Sequence, residues 1–129
     1  ATKLALGNLD ASRDWGHAKD YVKAMWMMLQ QDEADDYVCA TGVSHTVRDC
    51  CDYVFSRIGL DYKDHVTLDK RFLRPEELHD LKGDSSKIRD RLSWKPEYNF
   101  EGLMDDMMVS NKNYQKATEY VHTPYDQTM

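Results

Sequence analysis

Apolar positions change their period several times along this chain, and each change predicts an element. Leu4, Leu6 and Leu9 frame a short strand that Gly7 and Asn8 bring to an end. From Trp15 onward the period lengthens. Trp15, Ala18, Val22, Met25 and Leu29 fall at three- and four-residue spacing, which predicts a helix with one core-facing stripe, widened by Tyr21 and Met28. Asp14 stands where that helix would take its cap. After the polar run QQDEADD, the segment DYVCA reads as a buried strand. SHTVRDCCDYVFSRIG predicts a second helix. Thr46 and Asp49 are spaced as a capping box, Val47, Cys51, Val54 and Ile58 form its inner face, and Gly59 closes it. HVTLD alternates, with Val66 and Leu68 inward, and RFLRPEEL is extended around Pro75. Asp84 or Ser85 opens a short helix through Leu92, and SWKP stops it with Trp94 packed under the loop. Phe100, Leu103, Met104, Met107 and Met108 begin a last amphipathic helix. Beyond Asn111 the chain turns polar, which predicts a frayed helix or tail. The order of elements is that of an α/β fold with few strands and long helices.

Composition narrows the classes of partner. The 129 residues suffice for about one domain, and 41% hydrophobic residues allow a modest core. A net charge of −6 argues against a nucleic-acid surface and against an anionic membrane face, so neither is expected as a partner. Small anionic ligands stay open, because a few local arginines outweigh a mild overall charge. Cys39, Cys50 and Cys51 make a poor disulfide framework and lack the spacing of a zinc site; packed, reduced thiols in a cytoplasmic protein are expected. No apolar run is long enough to cross a membrane. The opening ATKLALGN reads as a start in mid-domain, as in a fragment, a split subunit or a truncated gene model.

Several catalytic signatures are missing from the 129 residues: a Gly-rich dinucleotide loop, a phosphate-binding P-loop, a Tyr followed four residues later by Lys, a zinc-protease His pair and a serine-nucleophile elbow. What stands out is Arg13 and Arg74, each in a junction and not on a helix face. A guanidinium there suits phosphate or carboxylate, because its planar fork donates two parallel hydrogen bonds. The plain alternative pairs Arg13 with an acid such as Asp10, and Arg74 with Glu76 or Glu77. Glu77, three residues after Arg74, is placed to reach hydroxyls such as a ribose diol, or else is a solvated acid. Asn8 is open to a ligand or makes an ordinary turn. Taken alone, the residues support an α/β module with room for an anion pocket.

Four longer strings say more. LGNLDASRDWGHAKDYVKAMWMMLQ, DYVCATGVSHTVRD, LRPEELHDLKGDSSKIRDRLSWKP and YNFEGLMDDMM resemble the C-terminal part of the GDP-mannose 4,6-dehydratases, members of the extended short-chain dehydrogenase/reductase superfamily. The resemblance covers about residues 4 to 109. It implies the C-terminal substrate-binding lobe of such an enzyme, with few short strands and four main helices and with the Rossmann core largely missing. Residues 1–110 would be the GDP-binding part and residues 111–129 a polar tail. Family members are NADP-dependent lyases. They convert GDP-mannose to GDP-4-keto-6-deoxymannose on the way to GDP-fucose.

The cofactor loop and the catalytic residues of relatives lie upstream of Leu4, so no catalytic residue carries over. The nucleotide contacts do. The resemblance implies that Asn8 bonds the nucleotide, that Arg13 and Arg74 hold the diphosphate, and that Glu77 holds the ribose. It implies GDP-mannose as ligand, an N-terminal Rossmann half or full-length homologue as partner, and a homo-oligomer for the full enzyme. Alternatives are an inactive GDP-sugar-binding or regulatory module, or a truncated remnant. Ser12, Glu76 and His79 depart from the Lys, Thr and Asp usual in relatives, as does RDCCDYVF. Lobes in this superfamily exchange segments, so DYVCA belongs to the Rossmann sheet if the exchange holds here. The chain would then expose apolar surface and an unpaired strand edge.

Overall fold

The computed structural model describes residues 3–122, with side chains through residue 113. Nine elements follow one another: β1 (Leu4–Leu6), β2 (Ser12–Asp14), α1 (Ala18–Leu29), β3 (Ser44–Thr46), α2 (Val47–Arg57), β4 (Val66–Leu68), β5 (Asp80–Leu81), α3 (Ser86–Leu92) and α4 (Phe100–His122). One-turn 3₁₀ segments precede and follow β4, at Tyr62–Asp64 and Lys70–Phe72. The strands make two small sheets. β1 pairs with β4 in parallel, Leu4 opposite Val66. β2 is the middle strand of the other sheet, antiparallel to β3 with Arg13 opposite His45, and parallel to β5 with Arg13 opposite Leu81. The fold is thus α/β with four helices and few, short strands, as expected.

Local signals set most boundaries. Thr46 caps α2 through the full box: its hydroxyl accepts from Asp49 N, and the Asp49 carboxylate accepts from Thr46 N. Gly59, just past the end of α2, has φ +76°, the left-handed value that glycine adopts without penalty. The cap of α1 differs from expectation. His17 Nδ1 accepts from Lys19 N, while Nε2 lies 2.6 Å from Asp106 of α4. Because Nδ1 accepts, the ring proton sits on Nε2 and is donated to Asp106. Asp14 is too far upstream for the cap and is spent elsewhere.

Three clusters form the core. Leu9, Cys51 and Tyr62 bring β1, α2 and β4 together. Phe100, Leu103 and Met104 of α4 pack with Trp15, Tyr53 and Val54. Ala24, Ile88 and Trp94 join α1 to α3, flanked by Tyr21, Met27 and Met28. Here α1 corrects the reading of its sequence. The face that packs is Tyr21–Ala24–Met28, with Tyr21 and Met28 the widening residues of the expected stripe, and Trp15 packs on α4. Val22, Met25 and Leu29 of that stripe point outward with Trp26, each more than half exposed. Both faces are apolar, so periodicity could not choose between them. Leu68 and Ile58, also expected inside, are exposed.

DYVCA forms no strand. Residues 37–40 have no ladder partner among the described residues, and a strand exists only when its N–H and C=O groups are paired across a sheet. The last helix runs unbroken through residue 111 to His122. The rest of the expected tail, residues 123–129, lies outside the described residues. No helix among the described residues is long and apolar enough to cross a membrane.

Candidate functional site

The ends of β1 and β2 and the loop before β5 line an open pocket of about 290 Å³. Its walls include Asn8, Arg13, Arg74 and Glu77, with Gly7 and Phe72 between them. All four sequence-derived candidates therefore meet in one place, although Arg13 and Arg74 lie far apart along the chain. Two topological facts bring them together. β1 lies beside β4, so the turn at Gly7–Asn8 faces the segment that leaves β4. β2 lies beside β5, so Arg13 faces the loop that enters β5.

Gly7 is part of the wall for a steric reason. A Cβ there would lie 2.6 Å from the Phe72 carbonyl oxygen, so only glycine lets the two backbones approach this closely.

The polar groups are engaged unequally. Arg13 NH1 donates to Ser12 O and Leu78 O, both at 2.7 Å, and NH2 donates to Glu77 Oε1 at 2.6 Å. The ion pair is half-buried. Sequence spacing offered Asp10 as a partner for Arg13. Asp10 instead accepts from Arg48 of α2, because Arg48 lies directly across from the 8–10 turn. Arg74 was offered Glu76 or Glu77. It is exposed and makes no ion pair among the described residues. Asn8 makes a local turn through Oδ1, which accepts from Asp10 N, and its amide NH₂ is left to donate elsewhere. The cavity thus offers an unpaired guanidinium, an amide donor and a carboxylate with one oxygen held and one not.

Asp14 is the residue that sequence reasoning misassigned. Its Oδ1 accepts from Thr41 N and Thr41 Oγ1, and its Oδ2 from Gly42 N and Gly83 N, at 2.6 to 3.2 Å. One carboxylate therefore ties β2 to the 41–42 turn and to the chain just after β5. Partial burial pushes its pKa up. The Thr41 hydroxyl and the three backbone N–H groups outweigh that and hold it below the usual carboxylate range. The signal available in the sequence was its position beside Arg13, not any capping pattern.

Other features offer less chemistry. A larger cavity of about 560 Å³ is walled by Trp15, His45, Tyr98 and Phe100. Its Arg89 is spent on Ser85 Oγ and Thr41 O. Burial pushes all three cysteine thiols above their usual value, which disfavours the thiolate. Among the described residues no His, Cys, Asp or Glu cluster could hold a metal ion.

The turn from β2 to α1 offers no open cradle for a dinucleotide's pyrophosphate. The glycine in the turn from β2 to α1 is Gly16, and a Cβ there would collide with the Tyr21 hydroxyl. That turn is filled by the chain itself, where a pyrophosphate would need open backbone N–H groups.

Comparison with known proteins agrees on the family. A family model described as GDP-mannose 4,6 dehydratase matches residues 1–107. GDP-mannose 4,6 dehydratase 1 of Arabidopsis thaliana is 58% identical over 108 residues, covering 84% of this chain and 30% of that protein. The human GDP-mannose 4,6 dehydratase is 45% identical over 122 residues, covering 81% of this chain and 33% of that protein. Among solved structures, RMD from Pseudomonas aeruginosa complexed with NADPH superposes with a TM-score of 0.77 at 21% identity, over 88% of this chain and 37% of that one. The chain thus spans about a third of the length of the proteins it matches, and its fold is a partial extended short-chain dehydrogenase/reductase domain.

Proposed function

This chain belongs to the GDP-mannose 4,6-dehydratase family, and we propose that it supplies the part of such an enzyme that grips the GDP end of GDP-mannose. The observation that carries the reading is the meeting of Asn8, Arg13, Arg74 and Glu77 around one cavity. Arginine beside an acceptor carboxylate suits a diphosphate next to a ribose diol. Binding the nucleotide handle orients the sugar for chemistry carried out by other residues. Proton removal, loss of water and hydride transfer on NADP belong in this reading to the cofactor-binding part of the enzyme. The chain by itself is expected to bind GDP-mannose without turning it over.

Calorimetric titration tests this directly. The 129-residue chain should bind GDP with a Kd on the order of 0.1 mM or tighter. Arg74→Gln should weaken binding about 10- to 100-fold, the worth of a charge-assisted contact to phosphate. An absence of heat with the unaltered chain would sink the reading.

The partner follows from the outward face of α1. Val22, Met25, Trp26 and Leu29 lie on one side of the helix, and residues 37–40 belong to no strand ladder among the described residues. A helix with apolar residues on two faces buries both, leaving only its charged strip, here Lys19 and Lys23, to solvent. Its natural cover is the Rossmann part of the same enzyme, onto whose sheet edge residues 37–40 would add. Coexpressed with the cofactor-binding part of a family dehydratase, the chain should copurify with it. Trp26→Asp should abolish copurification yet leave GDP binding intact. Copurification that survives Trp26→Asp would place the contact elsewhere.

A further inference from the structure

We infer that Lys87 of α3 is a positioning residue that holds residues 35–40 in place, so that the segment meets the cofactor-binding part of the enzyme already set for strand addition. The inference rests on the docking reading above and names what in this chain prepares the docking segment. Between Asp36 and Thr41 the chain is half of a strand pairing. Tyr37 and Cys39 pack on the Ala24–Ile88–Trp94 cluster, while Val38 between them is 55% exposed, the two-residue period of an extended segment. No backbone N–H or C=O of residues 37–40 has a hydrogen-bond partner among the described residues. A covered strand has these groups paired, so what the segment lacks is a neighbouring strand.

Polar contacts hold the segment at its two ends. At one end the Asp14 carboxylate accepts from Thr41 N and Gly42 N. At the other, Lys87 Nζ donates to Asp35 Oδ1 and to Asp36 O, both at 2.8 Å, and stands 5.1 Å from the centre of the Tyr37 ring. One ammonium thus touches three consecutive residues and spends two of its three donors on them. Arg91, one turn further along α3, donates to the second Asp35 oxygen at 3.1 Å. These contacts lie near the surface and add little to global stability. What they remove is the freedom of residues 35–37 to swing away from α3. Without the clamp that freedom would have to be given up at docking, which weakens association.

Lys87→Met keeps the apolar stem and removes every donor. In the 129-residue chain alone, Cys39 of this variant should react with a soluble thiol reagent about five- to tenfold faster than in the parent, read peptide by peptide in the mass spectrometer. Cys50 and Cys51 pack in α2 against other clusters and should keep their rates within about twofold. The thermal midpoint should stay within about 3 °C of the parent. Coexpressed with the cofactor-binding part of a family dehydratase, the variant should still copurify. The concentration at which half of the complex dissociates on dilution should rise about three- to tenfold. Lys87→Arg reaches the same acceptors and should restore both readouts. Asp35→Asn releases the same end from the opposite partner and should repeat both losses.

An unchanged Cys39 rate in Lys87→Met overturns the inference, and so does faster reaction of all three cysteines together, which would mean general loosening of the fold. A freed Cys39 with undiminished assembly overturns it too, because the clamp would then prepare nothing. Failure of Lys87→Arg to restore the parent behaviour counts equally against it. A parent chain that does not copurify at all overturns the docking reading, and the inference with it.

Discussion

Trp94→Ala is expected to lower the thermal midpoint by about 10–20 °C, from a destabilisation of about 3–5 kcal/mol. Trp94 is 1% exposed and sits between α1 and α3 against Ala24 and Ile88. Removing the indole opens a cavity that α1 cannot collapse to fill, because its start is pinned on the same side. The indole N–H donates to Asp20 O at 2.9 Å, and the buried Asp20 carboxylate accepts from Glu97 N and Tyr98 N. Truncation therefore costs packing and also loosens the 94–98 segment against the helix. Since small domains are stable by only about 5–15 kcal/mol, the loss is a large fraction of the whole. Trp94→Phe separates the two contributions. It retains most of the buried area, loses only the N–H donor and should cost about 1–2 kcal/mol. Melting followed by circular dichroism reads both variants, and a midpoint within about 3 °C of the parent for Trp94→Ala would refute the assignment of Trp94 as the centre of this cluster.

Trp94 was legible in the sequence, and the reason shows where legibility stops. A tryptophan inside SWKP, right after a short helix, has little alternative to packing under its own turn. The capping box of α2 was equally local, as was the apolar start of α4 at Phe100. What failed were choices between two acceptable answers that only tertiary contacts make. α1 has apolar residues on two faces, and Trp94 and Ile88 take the Tyr21–Ala24–Met28 face. DYVCA has strand composition, but a strand is a property of two segments, and no second segment pairs with it among the described residues. In the cavity, the identity of Asn8, Arg13, Arg74 and Glu77 came from motif strings, while their pairing did not. Arg13 takes Glu77 and not Asp10 because β5 lies beside β2, a long-range parallel pairing that no local pattern announces.

The Asp14 clasp gives the second large effect, and it depends on pH. At pH 7, Asp14→Asn is expected to destabilise the chain by about 2–4 kcal/mol. An amide presents one acceptor oxygen where the carboxylate presents two. If that oxygen keeps Thr41, the NH₂ group is turned toward the N–H groups of Gly42 and Gly83, donor against donor. The consequence reaches the cavity, because the clasp holds β5 beside β2 and so sets where the 74–78 loop meets Arg13.

The sign of the pH effect follows from the direction of the shift. The folded-state pKa of Asp14 lies below its unfolded value. Its contribution is therefore fully present above about pH 3.9, the unfolded reference, and is lost as pH falls through the lower folded value. The amide of the Asp14→Asn variant cannot titrate. The gap between parent and variant in urea melts should thus be widest near neutrality and close steadily below about pH 4. Other acids, Asp35 and Asp106 among them, share the downward shift and contribute to the parent's acid sensitivity. They are common to both proteins and drop out of the difference. A gap that stays constant down to about pH 3 would mean that the carboxylate charge is not what holds the three segments together. The strand pairing beside Arg13 would then have to rest on backbone contacts alone.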